Sequence, residues 1–176
     1  MEALVVIDAQ NEFSPSGAYP ASGYTEAVEV IRRTVDDAHT AGRPVIWVRH
    51  ENTGRNGRFE PGSWGAELDP ILAPLTDGDL ILTKTVFGAF TGTPLEEALR
   101  ERGANSIRLA GFLTHMCVST TAREALMLGL PTALEADACG SRAIEAPGIG
   151  HIDGDEAHRA ALLHLASMGA SIDKRS

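Results

Sequence analysis

The sequence predicts an α/β fold, a parallel sheet covered by helices on both faces. The main observation is that short continuous apolar runs alternate with longer stretches of helical period, as expected of strands buried on both sides by crossover helices. A second is size and composition. The chain has 176 residues, 43% hydrophobic and 22% charged, enough for one globular domain, residues 1–176, that buries about two thirds of its unfolded surface. A third is the absence of internal repeats and low-complexity tracts.

The elements follow in order. Ala3–Ile7 is a five-residue apolar run and the first strand. Ala27, Ile31, Val35 and Ala38 recur at steps of four and three, which places them on one face of a helix that stops near Gly42. Pro44–Val48 is the second strand and completes a βαβ unit. Asn52–Pro74, rich in Gly, Asn and Pro, resists regular structure. Asp79–Thr83 is the third strand. Thr93-Pro94-Leu95-Glu96 reads as a capping box with Pro at the first helical position, where its missing N–H costs nothing, and this helix ends at Gly103. Ser106–Ala110 is the fourth strand. A helix runs from Thr114 to Leu128, closed by Gly129 and Pro131. Pro131–Glu135 is the fifth strand, and Gly140–Gly154 is a second irregular stretch. Ala157, Ala161, Leu165 and Met168 mark a last helix ending at Gly169, before the sixth strand, Ala170–Ile172. Both irregular stretches follow the carboxyl end of a strand, the side on which open α/β sheets bind ligands.

Charge and cysteine usage exclude several classes. With 24 acidic and 15 basic residues the formal charge is −9, which repels phosphate backbones and anionic membranes, so no nucleic acid or membrane partner is expected. Two cysteines, Cys117 and Cys139, are too few for a disulfide framework or a thiolate metal site. Met1-Glu2 leads straight into the first apolar run, without the basic start of a signal peptide or the length of a membrane helix. A cytoplasmic location is the expectation. Gly148-Ile149-Gly150 lacks both a preceding strand and a third glycine, and neither Ser63 nor Ser141 lies in a G-x-S-x-G elbow. A dinucleotide site and a serine hydrolase are therefore unsupported.

Three residues remain for chemistry. Cys117 lies in the first turn of the helix after the fourth strand, where free N–H groups and the helix dipole are expected to stabilise a thiolate. A buried, inert cysteine is the alternative. Asp8 directly follows the first strand, where a turn or cap aspartate is the alternative. Lys84 ends the third strand, where the alternative is a solvated lysine. Together they form a constellation at three strand ends in which Asp8 takes the thiol proton, Lys84 favours the charged forms of both, and Cys117 attacks a carbonyl carbon.

The segments ALVVIDAQNEF (3–13), FEPGSWGAEL (59–68), TKTVFGAFTGTPLEEALRERG (83–103) and LAGFLTHMCVSTTAREALMLG (109–129) resemble the isochorismatase-like cysteine hydrolases, a superfamily that includes nicotinamidases and carbamoylsarcosine and ureidoacrylate amidohydrolases. The resemblance implies a three-layer αβα sandwich whose six-stranded parallel sheet has the order 3-2-1-4-5-6, with Asp8, Lys84 and Cys117 as catalytic residues. It implies an oxyanion hole formed by the N–H groups of Leu113 and Cys117, and a cis Phe112–Leu113 peptide. It places Phe13, Phe87 and Phe90 in the substrate pocket, with Trp64 a further candidate. Nicotinamidases bind metal through an Asp-x-His pair and another His, whereas this chain has Arg49-His50-Glu51-Asn52 and no second His before His115. His50 is thus expected to serve the pocket, with no metal and no cofactor. Retention of Cys117 favours C–N cleavage of a small amide or carbamoyl substrate over the vinyl-ether hydrolysis of isochorismatases, and a noncatalytic small-molecule binder or assembly protein is the alternative from another class. A homodimer or larger assembly is implied. His115 and Met116 receive no role, and Cys139 is expected to pack.

Overall fold

The computed structural model describes residues 1–52, 57–72, 76 and 78–174; part of the irregular stretch at 52–74 lies outside them. Six strands form one parallel sheet: β1 (Glu2–Ile7), β2 (Val45–His50), β3 (Leu80–Lys84), β4 (Ser106–Phe112), β5 (Thr132–Gly140) and, last in the chain, β8 (Ser171–Asp173). Their order is β3-β2-β1-β4-β5-β8, the expected 3-2-1-4-5-6 with the final strand in sixth place.

Residue parity along the central strands decides which helix covers which face. Ala3, Val5 and Ile7 of β1 pack with α2 (Leu95–Glu101), α3 (Ser119–Met127) and α4 (Gly154–Ser167) through Leu95, Leu99, Ala122 and Leu165. Leu4 and Val6 point the other way, onto Ala27, Ile31, Val35 and Ala38 of α1 (Tyr24–Thr40). The stripe read from the sequence is therefore the buried face of α1. Among the described residues no helix is long and apolar enough to cross a membrane.

The structure corrects three expectations. The stretch 140–154 is not irregular: β5 runs on to Gly140, and β6 (Ile144–Ala146) and β7 (Gly150–Ile152) make an antiparallel hairpin. Beside Gly111 the pairing of β4 with β5 jumps from Leu109↔Leu134 to Gly111↔Cys139, and this bulge lets β5 run longer than its apolar core. No capping box forms at Thr93, whose hydroxyl accepts the N–H of Leu95 at 3.1 Å and donates to the Ala89 carbonyl instead of reaching Glu96. The reciprocal box sits at the start of α4, between Asp153 and Glu156. The helix expected from Thr114 opens with a π-helical turn, Thr114–Val118, before α3, a local widening common at functional sites.

Gly111 marks where β1 and β4 come closest to the site. Its φ is +118°, and a Cβ there would lie 1.9 Å from the Ile7 carbonyl oxygen. Gly111→Ala therefore has to move the β1 backbone as well as strain its own, and is expected to cost about 4 kcal/mol or more in a urea unfolding titration.

Candidate active site

The carboxyl ends of β1, β2 and β3 and the turn after β4 converge on one ammonium group. Lys84, the last residue of β3, is 1% exposed, and its Nζ lies 2.8 Å from Asp8 Oδ2, 3.2 Å from His50 Nδ1, 3.1 Å from the Val86 carbonyl and 3.4 Å from Cys117 Sγ. Asp8 follows β1 with φ of 49°, a conformation that non-glycine residues rarely adopt and that recurs at functional sites. Its N–H donates to the Val48 carbonyl at 2.8 Å, which ties it to β2.

The ammonium sets the state of its neighbours. Burial opposes the Lys84 charge, but Asp8 and then Cys117 hold its pKa above the ordinary value. An ammonium only donates, so His50 Nδ1 accepts from it, and the proton of the neutral ring is on Nε2, donated to Asn52 Oδ1 at 3.0 Å. Burial and the Lys84 charge both lower the His50 pKa, in keeping with that neutral tautomer. Both ring nitrogens of His50 are thus engaged by protein, and among the described residues no cluster of His, Cys, Asp and Glu has metal-binding geometry. The donor set does not fit a metal.

The expectation of a lowered Cys117 pKa is corrected. Burial and the Asp8 carboxylate raise it, and Lys84 only partly offsets them; the resting group is a thiol, because desolvation at 5% exposure outweighs the helix-start effect. Asp8 acts on the thiol both through its charge and as a side-chain hydrogen-bond partner. Both raise the thiol pKa, and Asp8 Oδ1, buried and without any other hydrogen-bond partner, is placed to accept the thiol proton. The Phe112–Leu113 peptide is cis. The N–H groups of Met116 and Val118 both donate to the Leu113 carbonyl, and among the described residues no backbone acceptor is found for the Leu113 N–H.

Asp8, Cys117 and Leu113 line an open cavity of about 350 Å³ together with Phe13, His50 and Phe87. The other two aromatic candidates lie outside it. Trp64 is 55% exposed, and Phe90 packs against the core on the α2–α3 face. Tyr19, Asn52, Arg58, Phe59, Met116 and Arg142 also line the cavity and were not anticipated. The sequence signal for Asn52, Arg58, Phe59 and Arg142 is their place in the two irregular stretches that follow strand ends. Phe59 packs on Phe13 and edge-on to His50, each with ring centroids 5.2 Å apart. Gln10, also unanticipated, is buried and joins three segments. Its amide nitrogen donates to the carbonyls of His50 and Ala66, and its oxygen accepts the His50 N–H. His115 hydrogen-bonds Ser141 through both its ring and its N–H, which ties the turn before Cys117 to the segment carrying Arg142. Cys139 is buried in the core.

The isochorismatase domain model matches residues 2–174. The crystal structure of an isochorismatase from Pseudomonas putida superposes with a TM-score of 0.91 at 36% identity, covering 98% of this chain and 87% of its own. A secreted isochorismatase effector from Verticillium dahliae is 33% identical, over 94% of this chain and 83% of its own length. Nicotinamidase 3 from Arabidopsis thaliana is 30% identical, over 93% and 80% respectively.

Alkylation tests the thiol assignment. Cys117 lines the cavity beside the Lys84 ammonium, whereas Cys139 packs in the core and does not line that cavity, and burial raises the pKa of both thiols. Brief iodoacetamide treatment followed by peptide mapping is expected to find the label on Cys117, at a rate that keeps rising as pH passes the ordinary thiol value of 9.0.

Proposed function

The chain belongs to the isochorismatase family of hydrolases, and on that premise we propose that it is a cysteine-dependent amidohydrolase cleaving a C–N amide or carbamoyl bond of a small molecule. The observation that carries this reading is the position of one buried ammonium, 2.8 Å from the Asp8 carboxylate and 3.4 Å from the Cys117 sulfur, where both acid and thiol line the same cavity.

The Cys117 thiol gives its proton to Asp8 as sulfur forms a bond to the substrate carbonyl carbon. A thiol with a raised pKa suits that order of events, since the thiolate exists only as the proton leaves. The oxyanion accepts the N–H groups of Leu113 and Cys117. Asp8 returns its proton to the nitrogen as the C–N bond breaks, and ammonia or an amine departs. Water then attacks the thioester carbon, losing a proton to Asp8; the C–S bond breaks, Asp8 returns that proton to Cys117 Sγ, and the carboxylic acid product leaves. Lys84 keeps its charge throughout and stabilises Asp8 as a carboxylate between proton transfers. The buried rings of Phe13 and Phe59 line the inner wall of the cavity with apolar surface, and low polarity there strengthens each of these charge interactions.

Ammonia release from a panel of small amides, with Cys117→Ala as the blank, tests the reading. Pyruvate release from isochorismate without ammonia from any amide would replace it with vinyl-ether hydrolysis. Asp8→Asn is expected to lower kcat roughly a hundredfold or more with an unchanged circular dichroism spectrum. Because both His50 nitrogens are taken by protein partners, activity is expected to survive dialysis against a strong chelator. Loss of activity that a single metal restores would contradict this.

A further inference from the structure

The turn that joins Leu113 to Cys117 is held by side chains to which the mechanism above gives no task. Thr114, its first residue, is fully buried. Its Oγ1 lies 3.0 Å from the Gly140 carbonyl oxygen and 2.8 Å from His158 Nδ1. The next residue, His115, binds Ser141 Oγ through its N–H and its ring. Both fasten the turn to the end of β5 and the residue after it, and His158 adds a third attachment, to α4.

Hydrogen-bonding capacity fixes the sense of the Thr114 contacts. A carbonyl only accepts, so the single hydroxyl proton goes to Gly140. The hydroxyl oxygen is then left to accept, and the proton of the second bond is on His158 Nδ1. The reverse sense, hydroxyl to ring, would leave two oxygens 3.0 Å apart with no proton between them. A protonated Nδ1 is present in one neutral tautomer of the ring and in the cation alike, so the bond does not depend on the ring's charge. Filling space with a partly buried imidazole is costly, whereas an imidazole that donates to a buried hydroxyl locks that hydroxyl between two elements. His158 lines a second cavity, of about 250 Å³, that shares no residue with the one at Cys117. It therefore acts on the site only through Thr114.

We propose that His158 is a positioning residue: its Nδ1–H, donated to Thr114, holds the turn so that the Leu113 N–H and the Cys117 sulfur face the same point. This rests on the reading above that Cys117 attacks a carbonyl there, and it extends the machinery to a helix that does not touch the substrate.

The test compares His158→Leu, His158→Asn, His158→Gln, Thr114→Val and the double variant of His158→Leu with Thr114→Val. An asparagine amide nitrogen sits where Nδ1 sits, whereas a glutamine amide extends to the Nε2 position. With the amide that is cleaved fastest in the ammonia-release panel as substrate, His158→Leu and Thr114→Val are each expected to lower kcat roughly tenfold or more while KM changes little. The double variant is expected to lose no more than Thr114→Val alone, because both substitutions remove one bond. His158→Asn is expected to recover most of the activity and His158→Gln little. In hydrogen exchange the N–H groups of Met116 and Val118, which close the turn onto the Leu113 carbonyl, are expected to lose protection in the impaired variants, while the Leu4 N–H, bound to the Pro44 carbonyl in the central sheet, keeps its own. Nitrogen NMR is expected to show a protonated Nδ1 on His158. An unprotonated Nδ1, an unchanged kcat in His158→Leu, asparagine no better than glutamine, or Leu4 protection falling in step with that of the turn would overturn the proposal. Should His158→Leu fail to fold, the contrast between asparagine and glutamine decides in the same way. The two readings fail separately. Turn-specific exchange in a protein that releases ammonia from no amide leaves the clasp and removes the amidohydrolase, while ammonia release indifferent to every variant does the reverse.

Discussion

The buried Asp8–Lys84 ion pair, with both side chains inaccessible to solvent and 2.8 Å between them, is the interaction on which the rest of the site depends. An isolated ammonium in such a place costs several kcal/mol, and attraction to one carboxylate does not by itself offset the loss of water. The remaining donor capacity has to be used, and it is: His50, the Val86 carbonyl and the Cys117 sulfur all lie within 3.4 Å of Nζ. Each of those partners comes from a different segment. Satisfying one lysine therefore draws together the ends of three neighbouring strands and the turn that follows a fourth.

The same demand extends outward to the backbone. Val86 begins the loop between β3 and α2, and that loop is anchored to α3. The Ala89 N–H donates to Thr121 Oγ1 at 3.1 Å and the Phe90 N–H to Glu124 at 3.0 Å. A side chain at Gly88 would put its Cβ 2.2 Å from the Glu124 carboxylate, so glycine is what lets this carboxylate reach the loop. On the other flank Gln10 binds the backbone of His50 on both its N–H and its carbonyl, which fixes the end of β2 and with it the imidazole that accepts from Lys84. Buried polar groups joined in this way are costly to leave half-satisfied, and their mutual satisfaction makes the geometry specific.

Electrostatics at the thiol follow from how little water reaches it. A cysteine at an exposed helix start beside a lysine would carry a lowered pKa. Here the neighbouring carboxylate raises the thiol pKa while the cation lowers it, and burial penalises the thiolate more than either. The proposed nucleophile is therefore stored in its neutral form, with the proton acceptor Asp8 Oδ1 kept free of other hydrogen bonds.

What the sequence by itself determined is what local pattern encodes. Apolar runs and helical periods gave the strands, their parallel arrangement and the stripe of α1, and the abrupt placing of Asp8 and Lys84 after apolar runs, with Cys117 beyond a third strand, singled out the residues that meet. Only the tertiary structure decided the rest. Residues 8 and 84 touch across a two-strand separation, and the thiol pKa turns on desolvation, which no local pattern carries. The cavity wall depends on contacts between segments far apart in the chain, such as Tyr19 with Arg58 and Arg142, so Trp64 and Phe90 lie outside it while Phe59 and two arginines lie within. Thr93 and Asp153 show the same division at smaller scale: both head a capping-box pattern, but only Asp153 forms the reciprocal bonds, because the Thr93 hydroxyl is engaged by Ala89 and Leu95. Periodicity reports which face of an element is buried, whereas the aim of a side chain in a loop is set by the surfaces that the folded sheet brings against it.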